Sequence, residues 1–212
     1  MLLALDTATP AVTVALADGD RVLAHRSTVD GRRHGELLAP AIADLLAEAG
    51  VDRRSLTRVA VGVGPGPFTG LRVGLVTART LGAVLGIPVV GVCTLDALAL
   101  QSGLDGTFRV VTDARRRQVH WAAYDSDGGL HRVDGPHVDL PADVSWDGPA
   151  VGAGAQLYPD SFPGHREPEH VSAVSVCAWV ARGLPLLAPD PLYLRRPDAV
   201  ERDMQSPRKR VL

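Results

Sequence analysis

Three stretches carry residues whose type and spacing permit chemistry. Asp6 and Thr7 end the apolar run 2–5. Open α/β sheets bind ligands beyond the carboxyl ends of their strands. A carboxylate there can hold a metal-bound phosphate or act as a base. It can also be a turn aspartate that bonds the next backbone amides, and its position favours that role. The second stretch is Gly64-Pro65-Gly66-Pro67-Phe68-Thr69-Gly70, between a strand signal and a helix signal. Amides at a helix start bind phosphate, but Pro65 and Pro67 have no N–H to give. No GK[ST] follows, and Thr69 stands where a GxGxxG loop needs its third glycine. The stretch reads as a rigid turn with Thr69 as helix N-cap. The third is the helix after it, with small residues at Gly70, Gly74, Ala78 and Gly82. Each interior glycine costs about 0.5–1 kcal/mol relative to alanine, so a close neighbour must compensate. That neighbour is either the protein's own sheet, served by Leu71, Leu75 and Leu81, or a partner helix.

Other chemistries are missing from the sequence. The only lysine is Lys209; every other basic residue is arginine. A P-loop lysine, a Schiff base and a Ser-Lys dyad are therefore excluded, because arginine does not give up its proton. No histidines are spaced HxxxH and no HExxH occurs, so no metal site is expected. His34 reads as a helix-start capping residue. No serine lies in GxSxG. Cys93 ends an apolar strand and reads as a small buried residue.

The elements that must hold these residues follow from periodicity. Residues 2–5, 12–16 and 22–29 read as a three-strand meander. Leu37, Leu38, Ala41, Ile42, Leu45, Leu46 and Ala49 then repeat at helical spacing, closed by Gly50, with Pro40 expected to kink or restart the helix. Residues 58–63 form a fourth strand, 71–85 a helix capped by Gly86, and 89–93 a fifth strand. Thr94 reads as the N-cap of a short helix. The order is βββαβαβα. Beyond it, 108–112 and 119–124 read as strands around a turn. A polar region, 125–170, holds a short strand near Val151, and Val151-Gly152-Ala153-Gly154-Ala155 reads as a strand-end turn. Residues 171–184 suggest a helix. Composition shifts near Gly103, so the expected lobes are 1–102 and 103–190, followed by a tail, 191–212, that is charged and loose from Asp198.

The chain has 212 residues, a formal net charge of −2 and 4% aromatic residues. A large basic nucleic-acid footprint and an obvious base-stacking platform are not expected. Arg115-Arg116-Arg117 and Arg208-Lys209-Arg210 are small basic clusters, solvated by default but able to touch RNA phosphates. Two unpaired cysteines, and an apolar start broken by Asp6, suit a reducing cytoplasm with no membrane span.

Taken in order, the motifs resemble the bacterial TsaB (YeaZ) family. Residues 3–9, Leu-Ala-Leu-Asp-Thr-Ala-Thr, are similar to the family's opening LAIDTST. His34-Gly35-Glu36-Leu37-Leu38-Ala39-Pro40 resembles HSExLLP. Residues 64–72 resemble GPGSFTGLR, the most specific match. Asp113-Ala114-Arg115 with Val119 resembles DARxxEVY, and residues 191–195 resemble PxYLR. Ala8, Pro67, Gln118 and His120 depart from the pattern, which removes any role of the replaced side chains. The resemblance implies an actin/Hsp70-like (ASKHA) fold of two related lobes, each with a mixed sheet flanked by helices. It implies a non-catalytic dimerization subunit, without cofactor, in the making of threonylcarbamoyladenosine at position 37 of tRNAs reading ANN codons. The implied partners are a larger TsaD-type catalytic paralogue, a TsaE-type ATPase and, through the complex, tRNA; the free chain is expected to pair with itself. The implied interface is the two long helices, at Leu37, Leu38, Ala41, Leu45, Leu71, Gly74, Leu75 and Ala78. The competing reading is an ASKHA-class phosphotransferase or ATPase that holds nucleotide with Asp6, Thr7, Gly64 and Gly66.

Overall fold

A computed structural model describes residues 1–195. The expected loose segment from Asp198, with its basic cluster, lies outside the described residues. The first sheet contains β1 (Leu2–Asp6), β2 (Ala11–Asp18), β3 (Arg21–Val29), β4 (Arg58–Gly62) and β5 (Val89–Val92). Its order is β3-β2-β1-β4-β5; β2 is antiparallel to β1 and β3, and β4 is parallel to β1 and β5. The second sheet contains β6 (Thr107–Asp113), β7 (Val119–Asp125), β8 (His131–Asp139), β9 (Ala150–Val151) and β10 (His165–Arg166). Read from β8 it runs β8-β7-β6-β9-β10, with the same strand directions. One topology therefore occurs twice, at full length first and with two-residue β9 and β10 second.

Five helices complete the layers: α1 (His34–Glu48), α2 (Phe68–Leu85), α3 (Thr94–Ser102), α4 (Ala153–Leu157) and α5 (Ala173–Ala181). Strand alternation decides which core each side chain enters. Leu3, Leu5, Val14, Leu16, Val59 and Val61 point to the α1–α2 side and pack with Leu38, Leu45 and Leu75. Ala4, Ala15, Ala17 and Ala60 point the other way, toward Leu98, Val176 and Trp179. That alanine surface lets α5 and α3 pack close between the sheets, where Phe108, Val110 and Tyr124 of the second sheet meet them. A smaller core, including Val111, Trp121, Ala155 and Phe162, covers the far side of the second sheet. Two mixed sheets of matching topology, flanked by helices and with two helices between them, form the actin/Hsp70-like arrangement. Beyond α5, residues 187–195 strap the edge: Leu187 and Gly91 exchange backbone bonds of 2.8 and 2.9 Å, and Leu192 N–H donates to Val63 O at 2.8 Å.

Several expectations are corrected. α2 begins at Phe68 with Pro67 as N-cap, so Thr69 does not cap it. Cys93 is the N-cap of α3, and Thr94 is its first residue, which frees the Thr94 hydroxyl. Pro40 neither breaks nor restarts α1, which runs unbroken from His34 to Glu48. Pro40 lies on the exposed side, where water can satisfy the carbonyl it leaves unpaired. β8 was not foreseen. It is an edge strand with no buried residue, so it lacks apolar alternation and tolerates Pro136. The expected strand-end turn at 151–155 holds α4. α2, at 18 residues and mean hydropathy 1.2, is by composition long and apolar enough to cross a membrane. Its Gly70, Leu71, Gly74, Leu75, Ala78 and Gly82 are buried.

Candidate functional site

The β1–β2 turn and the 64–70 loop meet in a buried polar knot. Asp6 is wholly buried. Its Oδ1 accepts from Ala8 N–H and its Oδ2 from the Thr94 hydroxyl, both at 2.7 Å. Thr94 Oγ1 in turn accepts Gly64 N–H at 3.2 Å. The Thr7 hydroxyl donates to Gly70 O at 2.7 Å, and His34 Nε2 lies 2.9 Å from Thr9 O. His34 thus ties α1 to the β1–β2 turn and does not cap its helix; Arg33 is the N-cap.

The glycines exist for this contact. A Cβ on Gly62 would stand 1.7 Å from Asp6 Oδ2, and one on Gly66 would stand 2.1 Å from Ala8 O. Burial is the main influence on Asp6 and pushes its carboxyl up to about 6. The Thr94 and Ala8 hydrogen bonds and the charge of His34 pull it down. The structure brings Asp6, Thr7, Gly64 and Gly66 together, but they are packed against one another. Both Asp6 oxygens are engaged inside the protein, as a turn aspartate's are. Between the strand-end turns lies a space lined by Ala8, Thr9, Pro10, Thr112, Asp113 and Ala153, among others. Its volume is about 20 Å³, room for roughly one water. Replacing Thr94 by valine is expected to cost about 1–3 kcal/mol by stranding a buried carboxylate oxygen and an amide. A urea melt measures this; an unchanged midpoint contradicts the knot.

The thiol of Cys93 is buried and pushed up to about 12, first by desolvation and then by Asp96. Tyr124 O–H donates to Asp96 Oδ1 at 2.7 Å, which makes this cluster part of the inter-sheet core. Among the described residues no group of three or more His, Cys, Asp or Glu side chains is placed to hold a metal.

The interface expected from the sequence is corrected at six of its eight positions. Leu38, Leu45, Leu71, Gly74, Leu75 and Ala78 are buried in the protein's own core. A Cβ on Gly74 would stand 2.5 Å from Thr7 Oγ1, and one on Gly70 would stand 2.4 Å from Thr7 O. The small-residue stripe thus admits the protein's own β1 end, not a partner. Leu37 and Ala41 are half-buried. The face that α2 turns to solvent carries Val76 and Val84, 60% and 77% exposed, with Arg72, Arg79, Thr80 and Ala83. Sequence reasoning missed these valines because α2 carries apolar residues on both sides. The available signal was the glycine spacing, which marks the close-packed face and so leaves the other outward.

Comparison with known proteins bears on this geometry. A family model described as "TsaD: tRNA N6-adenosine threonylcarbamoyltransferase" matches residues 22–184. An uncharacterized protein of Mycobacterium tuberculosis is 46% identical over 205 residues, covering 93% of each chain. The tRNA threonylcarbamoyladenosine biosynthesis protein TsaB of Escherichia coli is 35% identical over 171 residues, covering 75% of this chain and 74% of that one. The structure of YeaZ from Pseudomonas aeruginosa superposes with a TM-score of 0.78 at 29% identity, covering 91% of this chain and 99% of that one. With the ordered motifs, the shared topology and this similarity along most of its length, the chain belongs to the TsaB (YeaZ) family.

Proposed function

We propose that this chain is a non-catalytic scaffold subunit in the formation of threonylcarbamoyladenosine on tRNA. In this reading it docks onto a TsaD-type transferase through the outward faces of α1 and α2. A TsaE-type ATPase joins the assembly, tRNA is reached through the complex, and the free chain pairs with a second copy through the same face. The observation that carries the reading is the contrast between two surfaces. Between the two strand-end turns, beside Ala8 and Thr112, packing leaves about 20 Å³, and both oxygens of Asp6 are engaged by the protein itself. On α2, by contrast, Val76 and Val84 stand in solvent. Covering the apolar surface of these two valines is favourable, at about 25 cal/mol per Å².

Depleting the protein in its host and digesting bulk tRNA to nucleosides tests the function directly. Threonylcarbamoyladenosine is expected to fall and to return on complementation. An unchanged level refutes the proposal.

A further inference from the structure

Among the described residues, three buried polar side-chain atoms lack a hydrogen-bond partner: Thr112 Oγ1, His120 Nδ1 and His170 Nδ1. His120 lines the cleft beside the C-terminal strap, while Thr112 and His170 line the closed space between the strand-end turns. Thr112 and His120 are direct partners across β6 and β7. Folded proteins satisfy nearly all such groups, so Nδ1 of His120, a residue only 6% exposed, marks a position where a polar group from outside completes the structure.

Beside His120 the cleft opens into a cavity of about 380 Å³, lined by Pro67, Phe68, Arg115, His120, Tyr193 and Arg195 among others. That volume suits a small molecule. None of the described residues lining it is a carboxylate. Arg195 is held in place by neutral acceptors: its Nη1 donates to Ala114 O at 3.0 Å and its Nη2 to Gln118 Oε1. Arg115 begins a run of three non-glycine residues with left-handed backbone, φ 61°, 56° and 60° at positions 115–117. Such runs are costly for L-residues and here fix the turn that carries Arg115 to the cleft. Asp113 Oδ1 accepts the Arg115 amide at 2.7 Å, and its Oδ2 lies 3.4 Å from Arg115 Nη1, offsetting part of that charge. The amino end of α2, the positive end of its dipole, borders the cavity at Pro67 and Phe68. Phe68 stacks on Tyr193 with centroids 5.0 Å apart and gives the cavity an apolar wall.

We propose that this cleft binds an oxyanion of the phosphate class carried on a small molecule, with Arg115 and Arg195 gripping the anion and His120 hydrogen-bonding to it. Two guanidinium forks match the oxygens of a phosphate. The site adjoins the closed space between the strand-end turns, with which it shares Pro67 and Arg115, and the inference does not depend on the scaffold role.

The test is calorimetric titration of the full chain with inorganic pyrophosphate at low ionic strength, paired with NMR of the His120 ring. Saturable one-site binding is expected, with the His120 signals moving along the same curve. Arg115→Gln and Arg195→Gln should each weaken it about tenfold or more. Arg54→Gln should leave it unchanged, since Arg54 lies in an exposed turn before β4, at the other end of the first sheet. Because Arg195 also anchors the strap, Arg115→Gln, on a mainly exposed side chain, carries the test if Arg195→Gln fails to fold. No saturable binding, equal loss with Arg54→Gln, or citrate binding as tightly as pyrophosphate would each overturn the proposal.

Discussion

Leucine at position 74 is expected to destabilise the fold itself, by about 3 kcal/mol or more, and to weaken partner binding only through that loss. The Gly74 Cα faces β1, where even a Cβ would stand 2.5 Å from Thr7 Oγ1 and 3.3 Å from Leu5 Cδ1. Overpacking a tight core costs about 1–3 kcal/mol. Pushing Thr7 away also breaks its 2.7 Å bond to Gly70 O, and a stranded buried polar group adds about 1–3 kcal/mol. The contrasting variant is Val76→Glu with Val84→Glu. Both side chains lie in solvent, so stability should change by no more than about 0.5 kcal/mol per site. Association with the TsaD-type partner, or with a second copy, should nevertheless fall more than tenfold, because each carboxylate must be desolvated in the interface. Urea melts and sedimentation on both variants separate the two effects. A stable Gly74→Leu protein that has lost only its partner would return the interface to the small-residue face. Undiminished association of the double glutamate variant would remove it from α2's outer face.

The second large effect concerns pH. The Asp6 carboxyl, raised by burial from 3.8 to about 6, holds a proton more tightly folded than unfolded. Its contribution to stability is present below pH 3.8 and is lost as pH rises through about 6. His120 is pulled from 6.5 down to about 4, first by burial and then by the Arg195 charge. Its contribution is present above pH 6.5 and is lost as pH falls through about 4. Each shift corresponds to something on the order of 3 kcal/mol. The two act in the same window with opposite sign and nearly cancel. Asp6→Asn should therefore make stability rise more steeply with pH between 4 and 6.5 than in the unsubstituted protein. His120→Gln should make it fall. Denaturation midpoints measured across that window decide the matter. Parallel curves for the two variants would show that neither group titrates as its surroundings imply.

Much of the first half was legible in the sequence. The apolar runs of β1 and β4, the 3.6-residue repeat of α1 and the αL glycine after α2 each reflect one local rule, and each element is where those rules put it to within a few residues. The second half was less legible because its strands rely on neighbours more than on their own pattern. β8 has no buried residue, and β9 and β10 are two residues each; pairing with neighbouring strands supplies their order. Thr94 shows the same limit at the site. Its sequence context suits an N-cap, but a carboxylate 88 residues earlier in the chain claims its hydroxyl.

The sequence by itself determined the residue types, and so the chemistry that is missing: no usable lysine, no nucleophile elbow, no metal spacing. It also carried, in ordered motifs, the resemblance to a family. Only the tertiary structure decided which face of each element is inside. Gly62, Gly66 and Gly74 look alike as letters, yet each is required by a different atom across the β1–β2 turn. Helix periodicity defines faces but not their neighbours, so a largely apolar α2 could not reveal that its glycines press on β1 while its valines stand in water. Long-range packing makes that choice, and with it decides which surface is left for a partner.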